Sequence, residues 1–227
     1  MQIKAAIFDM DGTLINSLFY WEIQWKKFGE AYLGVKDYVP DPALDAKGRT
    51  MRLSDCALMI KAHFALRVSD EEILAFFADG LWDFYKECAS LKPGALETLR
   101  ALQKAGVKMC IASATDGENV RKVARLFGID QFIPDILSCC DPDVGKGKDQ
   151  PDVYEKALRV LGSRAEETAC FEDSPVALET AKKMGLVTVG VYDRYNYGHD
   201  RLEALSDIYL PEGHPMDEAL QKLMIKI

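Results

Sequence analysis

Short apolar runs alternate with amphipathic segments along most of this chain. Residues 3–8, 107–112, 136–139, 168–171, 187–191 and 207–210 are mostly apolar, with little of the two-residue alternation of a half-exposed strand. That pattern predicts strands covered on both faces. Between them, apolar residues recur at helical spacing over 93–105, 119–127, 151–161 and 174–184. Each of these segments runs into a glycine, at Gly106, Gly128, Gly162 and Gly185, the residue that most readily takes the left-handed conformation closing a helix. Ser174 followed by Pro175 predicts a capped helix start. Strands alternating with helices in this way imply an α/β fold with a parallel sheet flanked by helices.

One long stretch breaks the rhythm. Residues 17–89 hold no convincing strand and read as helices over 18–33, 51–64 and 69–88. The segment KDYVPDPALDAKGR reads as a loop, because it carries two prolines and one glycine. The expected organisation is therefore a sheet domain built from 1–16 and 90–227, with an α-helical module of 17–89 inserted after the first strand. The linkers near Ser17 and near Lys92 and Pro93 would act as a hinge.

Composition narrows the function class. The 227 residues are 48% hydrophobic and 28% charged, ordinary for a globular protein, and too many for a scaffold that needs staples. Lys plus Arg number 28 against 36 Asp plus Glu, a net charge of −8. That balance argues against a nucleic-acid partner, which asks for a basic face. No run approaches the ~18 apolar residues of a membrane helix. The opening MQIKAAIFDMDG places two Asp where a secretory signal would be apolar. The six cysteines form no CxxC pair and read as reduced, buried thiols. The expectation is a cytoplasmic protein, a monomer or weak homodimer, with no nucleic-acid or membrane partner.

The candidate chemistry sits where strands end. Phe8-Asp9-Met10-Asp11-Gly12-Thr13 closes the first strand, at the sheet edge where open α/β folds bind ligands. Carboxylates at i and i+2 can point to one side, and Gly12 permits a sharp turn behind them. A cation there could take the first carboxylate and the carbonyl of Asp11, leaving the second carboxylate for proton transfer. A calcium loop does not fit: the glycine comes fourth, not sixth, and Tyr20 stands where the twelfth-position Glu belongs. Cys170-Phe171-Glu172-Asp173-Ser174-Pro175 repeats the theme of acids ending a strand. So many carboxylates at one edge repel unless a hard cation neutralises them, and oxygen ligands suit Mg²⁺. Ser113, Ala114 and Thr115 end another strand before a helix, where a hydroxyl and backbone N–H groups can receive an anion. Lys148, in GKGKDQPDVY, is a cation that matters only if the fold carries it to the same edge.

In this order and spacing the four segments resemble the haloacid dehalogenase-like superfamily, closest to its β-phosphoglucomutase and phosphoglycolate phosphatase branch. The resemblance covers nearly the whole chain and makes 17–89 similar to that family's α-helical cap. It implies a phosphatase for a small phosphorylated metabolite, a sugar phosphate foremost, with Mg²⁺ as cofactor. Asp9 would be the nucleophile, forming an aspartyl phosphate. Asp11 would be the acid and then the base. Ser113 would hold a phosphoryl oxygen, with Ala114 and Thr115 beside it. Lys148 would offset charge, and Glu172 and Asp173 would hold the metal with Asp9 and the Asp11 carbonyl. On the cap, Arg49, Arg52 and Trp21 are the candidates for reading the leaving group, while Trp25 reads as core. A sugar phosphomutase is the alternative. Mutase-like members carry a His, a Lys and a second Lys where this chain has Trp21, Leu81 and Asp116. Asn16, and the Asp149-Gln150-Pro151 that follows Lys148, are smaller departures from the family pattern.

Overall fold

The computed structural model describes residues 3–223. The strands are β1 (Ala5–Phe8), β2 (Ile15–Asn16), β3 (Ser90–Leu91), β4 (Lys108–Ser113), β5 (Asp135–Ser138), β6 (Thr168–Glu172), β7 (Val187–Val191) and β8 (Ile208–Leu210). Six of them form one parallel sheet in the order β5-β4-β1-β6-β7-β8. β1 is central, with Phe8 level with Ile111 on one side and Phe171 on the other.

The unbroken apolar runs are explained by burial on both faces. Ala6, Phe8, Ile111 and Phe171 enter one core, and the Phe8 and Phe171 rings stack at 4.4 Å. Ala5, Ile7, Cys110 and Cys170 point into a second core on the opposite face. A strand with both faces covered has no position at which a polar residue is cheap.

The inserted stretch contains α1 (Tyr20–Phe28), α2 (Pro42–Arg49), α3 (Leu53–His63), α4 (Asp70–Ala78) and α5 (Leu81–Glu87). Around the sheet lie α6 (Ala95–Lys104), α7 (Gly117–Leu126), α8 (Asp152–Leu161), α9 (Pro175–Lys183), α10 (His199–Leu205) and α11 (Glu218–Lys222). Leu99, Leu102, Val120, Val123, Ala219 and Leu220 fill the first core, and Val153, Tyr154, Ala157 and Leu161 the second. Ser174 caps α9 with Pro175 inside its first turn.

Several expectations need correction. The segment read as a loop contains α2: its Pro is at the first turn, where a missing N–H costs nothing, and Asp41 caps the helix. The single helix expected over 69–88 is two, divided where Gly80 adopts φ +73°. The helix expected over 18–33 passes into a π-helical turn at Gly29–Leu33. Cys56, Cys110, Cys139 and Cys170 are buried as expected, but Cys88 and Cys140 are exposed; all six are free thiols.

β2 and β3 pair antiparallel, Ile15 with Leu91 and Asn16 with Ser90, where the chain leaves and re-enters the sheet domain. Two-residue strands are too short to leave a periodic signal. The helices have their own core of Trp25, Phe28, Ile60, Ile73 and Phe77. Tyr20, Phe84 and Tyr85 instead bury themselves in the sheet-side core, so α1 and α5 are the elements that seat the module on the sheet.

Candidate active site

The chain runs from β1 outward through β4 and β5, then returns to β6 on the other side of β1. This reversal opens a crevice at the carboxyl ends of β1, β4 and β6. Asp9 and Asp11 leave β1 there, Ser113 ends β4, Glu172 ends β6 and Asp173 follows it. The crevice is a cavity of ≈ 430 Å³, roofed by α1 to α5.

Asp9, Glu172 and Asp173 are all buried and place carboxylate oxygens within 4.8 Å of one another. Lys148 reaches them from the loop between β5 and α8. Its Nζ donates to Asp9 Oδ1 at 2.5 Å and to Glu172 Oε1. Tyr154 also donates to Glu172 Oε1, at 3.3 Å. Asp173 accepts from Thr13 Oγ1 at 2.9 Å and from Asn196 Nδ2 at 2.6 Å. Burial pushes the Glu172 and Asp173 carboxyls up, and the neighbouring Asp9 adds to both shifts. Burial alone would lower Lys148, but Asp9 and Glu172 outweigh it and hold the ammonium above its ordinary value. Three buried carboxylates facing one lysine are two positive charges short of balance. An all-oxygen donor set with that deficit fits a hard divalent cation.

Asp11 is held apart from this cluster. Ser17 Oγ and the Tyr85 hydroxyl donate to its Oδ1 at 2.8 and 2.9 Å, and Thr115 Oγ1 donates to Oδ2 at 2.8 Å. Burial first, and then the Asp9 charge, raise its carboxyl above the usual range, while the three hydroxyls pull the other way. A carboxyl so placed is suited to carry a proton and give it up. Gly12 makes the placement possible. Its φ is +87°, and a Cβ there would lie 2.5 Å from Asp173 Oδ2 and 2.8 Å from Leu18 Cδ1. Gly12→Ala is therefore expected to cost about 1–3 kcal/mol through backbone strain and collision, read as a lower denaturation midpoint. An unchanged midpoint would show that the turn tolerates a side chain.

The sequence candidates thus separate. Asp9, Asp11, Ser113, Ala114, Thr115, Lys148, Glu172 and Asp173 all line one cavity, with Trp21 and Arg49 on its helical side. The Thr115 hydroxyl is spent on Asp11, and its backbone N–H donates to Ser113 Oγ at 3.1 Å. Trp25 is core, 2% exposed. Arg52 is not among the cavity-lining residues: it pairs with Asp55 one turn on, at 2.6 Å. Arg49 is engaged as well. Its Nε and Nη2 donate to buried Asp45 at 3.0 and 2.7 Å, its Nη1 donates to the Tyr195 carbonyl, and it lies over the Tyr197 ring. Asp45 also accepts from Trp25 Nε1 and the Tyr197 hydroxyl, at 2.7 and 2.8 Å. Removing one partner of so buried a pair costs about 3–5 kcal/mol.

Sequence reading missed Ser17, Tyr85, Tyr154, Asp45 and Asn196. Asn196 follows the carboxyl end of β7, on the same sheet edge as the motifs, and that position was its available signal. Tyr85 lies inside the helical module and carries no local signal; the signal for Asp45 was its i,i+4 spacing to Arg49, hidden because that segment read as a loop.

An α/β sheet that gathers a paired acid, a buried three-carboxylate cluster and a lysine at its switch point defines a class, hydrolases with an aspartate at the end of the first strand. The sequence model of the haloacid dehalogenase-like hydrolases matches residues 3–185, and this chain belongs to that family. It is 29% identical to the pyrophosphatase PpaX of Halalkalibacterium halodurans, over 84% of this chain and 84% of the relative. It is 28% identical to a phosphorylated carbohydrates phosphatase of Thermotoga maritima, over 89% and 91% of the two chains. Among solved structures, a haloacid dehalogenase-family hydrolase of Entamoeba histolytica superposes with a TM-score of 0.79 at 22% identity, covering 98% of each chain.

Proposed function

We propose that this chain is a Mg²⁺-dependent phosphatase that hydrolyses a small phosphorylated metabolite, sugar phosphates foremost, through an aspartyl phosphate on Asp9. The observation that carries this reading is the division of labour at the end of β1. Asp9 sits in the carboxylate cluster against Lys148, while Asp11 sits among three hydroxyl donors. The phosphatase names of the relatives and the hydrolase family support the same reaction type.

Asp9 attacks phosphorus, forming an Asp9 O–P bond as the bond to the leaving oxygen breaks. Asp11 gives its proton to that oxygen. Water then attacks the same phosphorus, Asp11 takes the water's proton, and the Asp9 O–P bond breaks to release phosphate. One carboxyl serves both steps by alternating its protonation state. Ser113 and the N–H groups after it receive phosphoryl oxygens, and Lys148 anchors Asp9 and offsets charge. Asp9, Glu172, Asp173 and the Asp11 carbonyl would hold the cation, which would neutralise the phosphoryl oxygens. In this reading residues 17–89 are the cap over a core of 1–16 and 90–227, and the free thiols suit the cytoplasm. Trp21, Leu81 and Asp116 all line the cavity, which favours hydrolysis over a mutase that needs His and Lys at those places.

Phosphate release from a sugar-phosphate panel tests the reading, with Asp11→Asn as the decisive variant. The variant is expected to lose about 10²–10⁴-fold on alkyl esters, whose leaving oxygen needs a proton. The loss is read in the first step, as single-turnover release of the alcohol, because the later water step needs Asp11 as base whichever substrate is used. It is expected to be far smaller for release of p-nitrophenol from p-nitrophenyl phosphate, whose leaving group needs no proton, and equal first-step losses on both substrates would remove Asp11 as the proton donor.

A further inference from the structure

From the cap side of the cavity we infer that the substrate's leaving group is a small uncharged alcohol with an apolar face, and that esters bearing a second anionic group are rejected. The inference rests on the phosphatase reading above and narrows its substrate class.

The first observation concerns cations. The cavity-lining residues include two, Lys148 and Arg49. Lys148 is spent on Asp9 and Glu172. Arg49 is spent on Asp45, the Tyr195 carbonyl and the Tyr197 ring, with its side chain only 5% exposed. Arg52, the other cap arginine near this loop, is taken by Asp55. A carboxylate or second phosphate on the leaving group would therefore enter without a free positive partner among the described residues that line the cavity.

The second observation concerns anions. Five carboxylates line the same cavity: Asp9, Asp11, Asp116, Glu172 and Asp173. A divalent cation and the transferring phosphoryl group engage the cluster at the sheet edge. Asp116 stands apart from it, exposed at the start of α7, where its carboxylate caps Glu118 and Asn119. It gives the rim a fixed negative charge that opposes a second anion.

The third observation is what remains. Leu18, Trp21, Met51, Leu74, Leu81 and Phe84 supply the cap-side wall. At ≈ 430 Å³ the cavity is at the small end of ligand sites, and the phosphoryl group takes part of it. The space left suits about one ring, and a ring or short apolar alcohol matches the wall better than a polyhydroxylated acid does.

The test compares kcat/KM for benzyl phosphate, glycerol 1-phosphate, 2-phosphoglycolate and pyrophosphate. The first two are esters of primary alcohols, so their leaving-group chemistry is matched. Benzyl phosphate is expected to exceed glycerol 1-phosphate by about 10-fold or more, the scale of discrimination by an apolar pocket. Both are expected to exceed the two doubly anionic substrates. Trp21→Ala is expected to collapse the benzyl-to-glycerol ratio toward one. Leu74→Lys adds a cation at a position already 37% exposed, so the fold is not at risk. It is expected to raise 2-phosphoglycolate relative to benzyl phosphate. Equal or better turnover of 2-phosphoglycolate or pyrophosphate by the wild-type protein overturns the inference and leaves the phosphatase reading standing. Release of phosphate from none of the four, nor from the sugar-phosphate panel, overturns both.

Discussion

Asp9→Asn is expected to abolish turnover, by at least about 10⁴-fold, without unfolding the protein. The amide keeps the shape of the carboxylate and an oxygen for Lys148 Nζ, which in the native protein stands 2.5 Å from Asp9 Oδ1. What it loses is a nucleophile that carries charge, and with it the covalent route. Stability should move the other way. The Asp9 charge is among the causes that raise Glu172 and Asp173, so its removal relieves repulsion inside a buried cluster. Lys148 keeps its partner in Glu172, so no charge is orphaned. Phosphate release, a search for phosphorylated peptide containing residue 9, and thermal melts in cation-free buffer check the three parts. Wild-type rates in this variant would falsify the assignment of Asp9 as nucleophile.

Divalent cation is expected to raise the melting temperature by about 5–10 °C near 100-fold saturation, and its chelation to reduce turnover to background. The shift follows from linkage: at that saturation binding adds about 2.7 kcal/mol, and each kcal/mol moves the midpoint of a chain this size by about 2–4 °C. The residues that demand the charge are Asp9, Glu172 and Asp173, packed with oxygens within 4.8 Å. Asp173→Asn is the control. It keeps an acceptor for Thr13, which donates to the native carboxylate at 2.9 Å, loses the one for Asn196, and removes one ligand charge. Its shift with cation should be smaller than that of the wild type. A wild-type melting curve indifferent to Mg²⁺ and Mn²⁺ alike would separate the cluster from cation binding.

How much of this was legible beforehand follows from the range of each signal. The sheet strands announce themselves because two buried faces force unbroken apolar runs, as in Ala5–Phe8 and residues 169–171. The acids are legible for the same reason: a carboxylate at the end of such a run has left the core and arrived at the sheet edge. The helical module was less readable. Its break at Gly80, the short α2 over Pro42–Arg49 and the two-residue β2–β3 pairing depend on single residues or on partners far along the chain. Arg49 is the most instructive case. A cation beside a cavity suggests an anion-binding role, yet its partners are Asp45 one helical turn away and Tyr195 and Tyr197 about 150 positions on. The Asp45 spacing becomes a signal only once the segment is recognised as a helix, and nothing local to Arg49 reveals Tyr195 or Tyr197.

The amino-acid order by itself determined the alternating α/β architecture, the helical insertion and the identity of the acids, hydroxyls and lysine at strand ends. Those follow from burial and from chain geometry over a few residues. Tertiary structure alone decided which of them meet. It drew Lys148 onto Asp9 and Glu172, surrounded Asp11 with Ser17, Tyr85 and Thr115, and set Asn196 against Asp173. It also buried Arg49 against Asp45 and paired Arg52 with Asp55. Electrostatic pairing acts through space over a few ångströms, and only the folded chain brings residues as far apart as Asp9 and Lys148 to that distance.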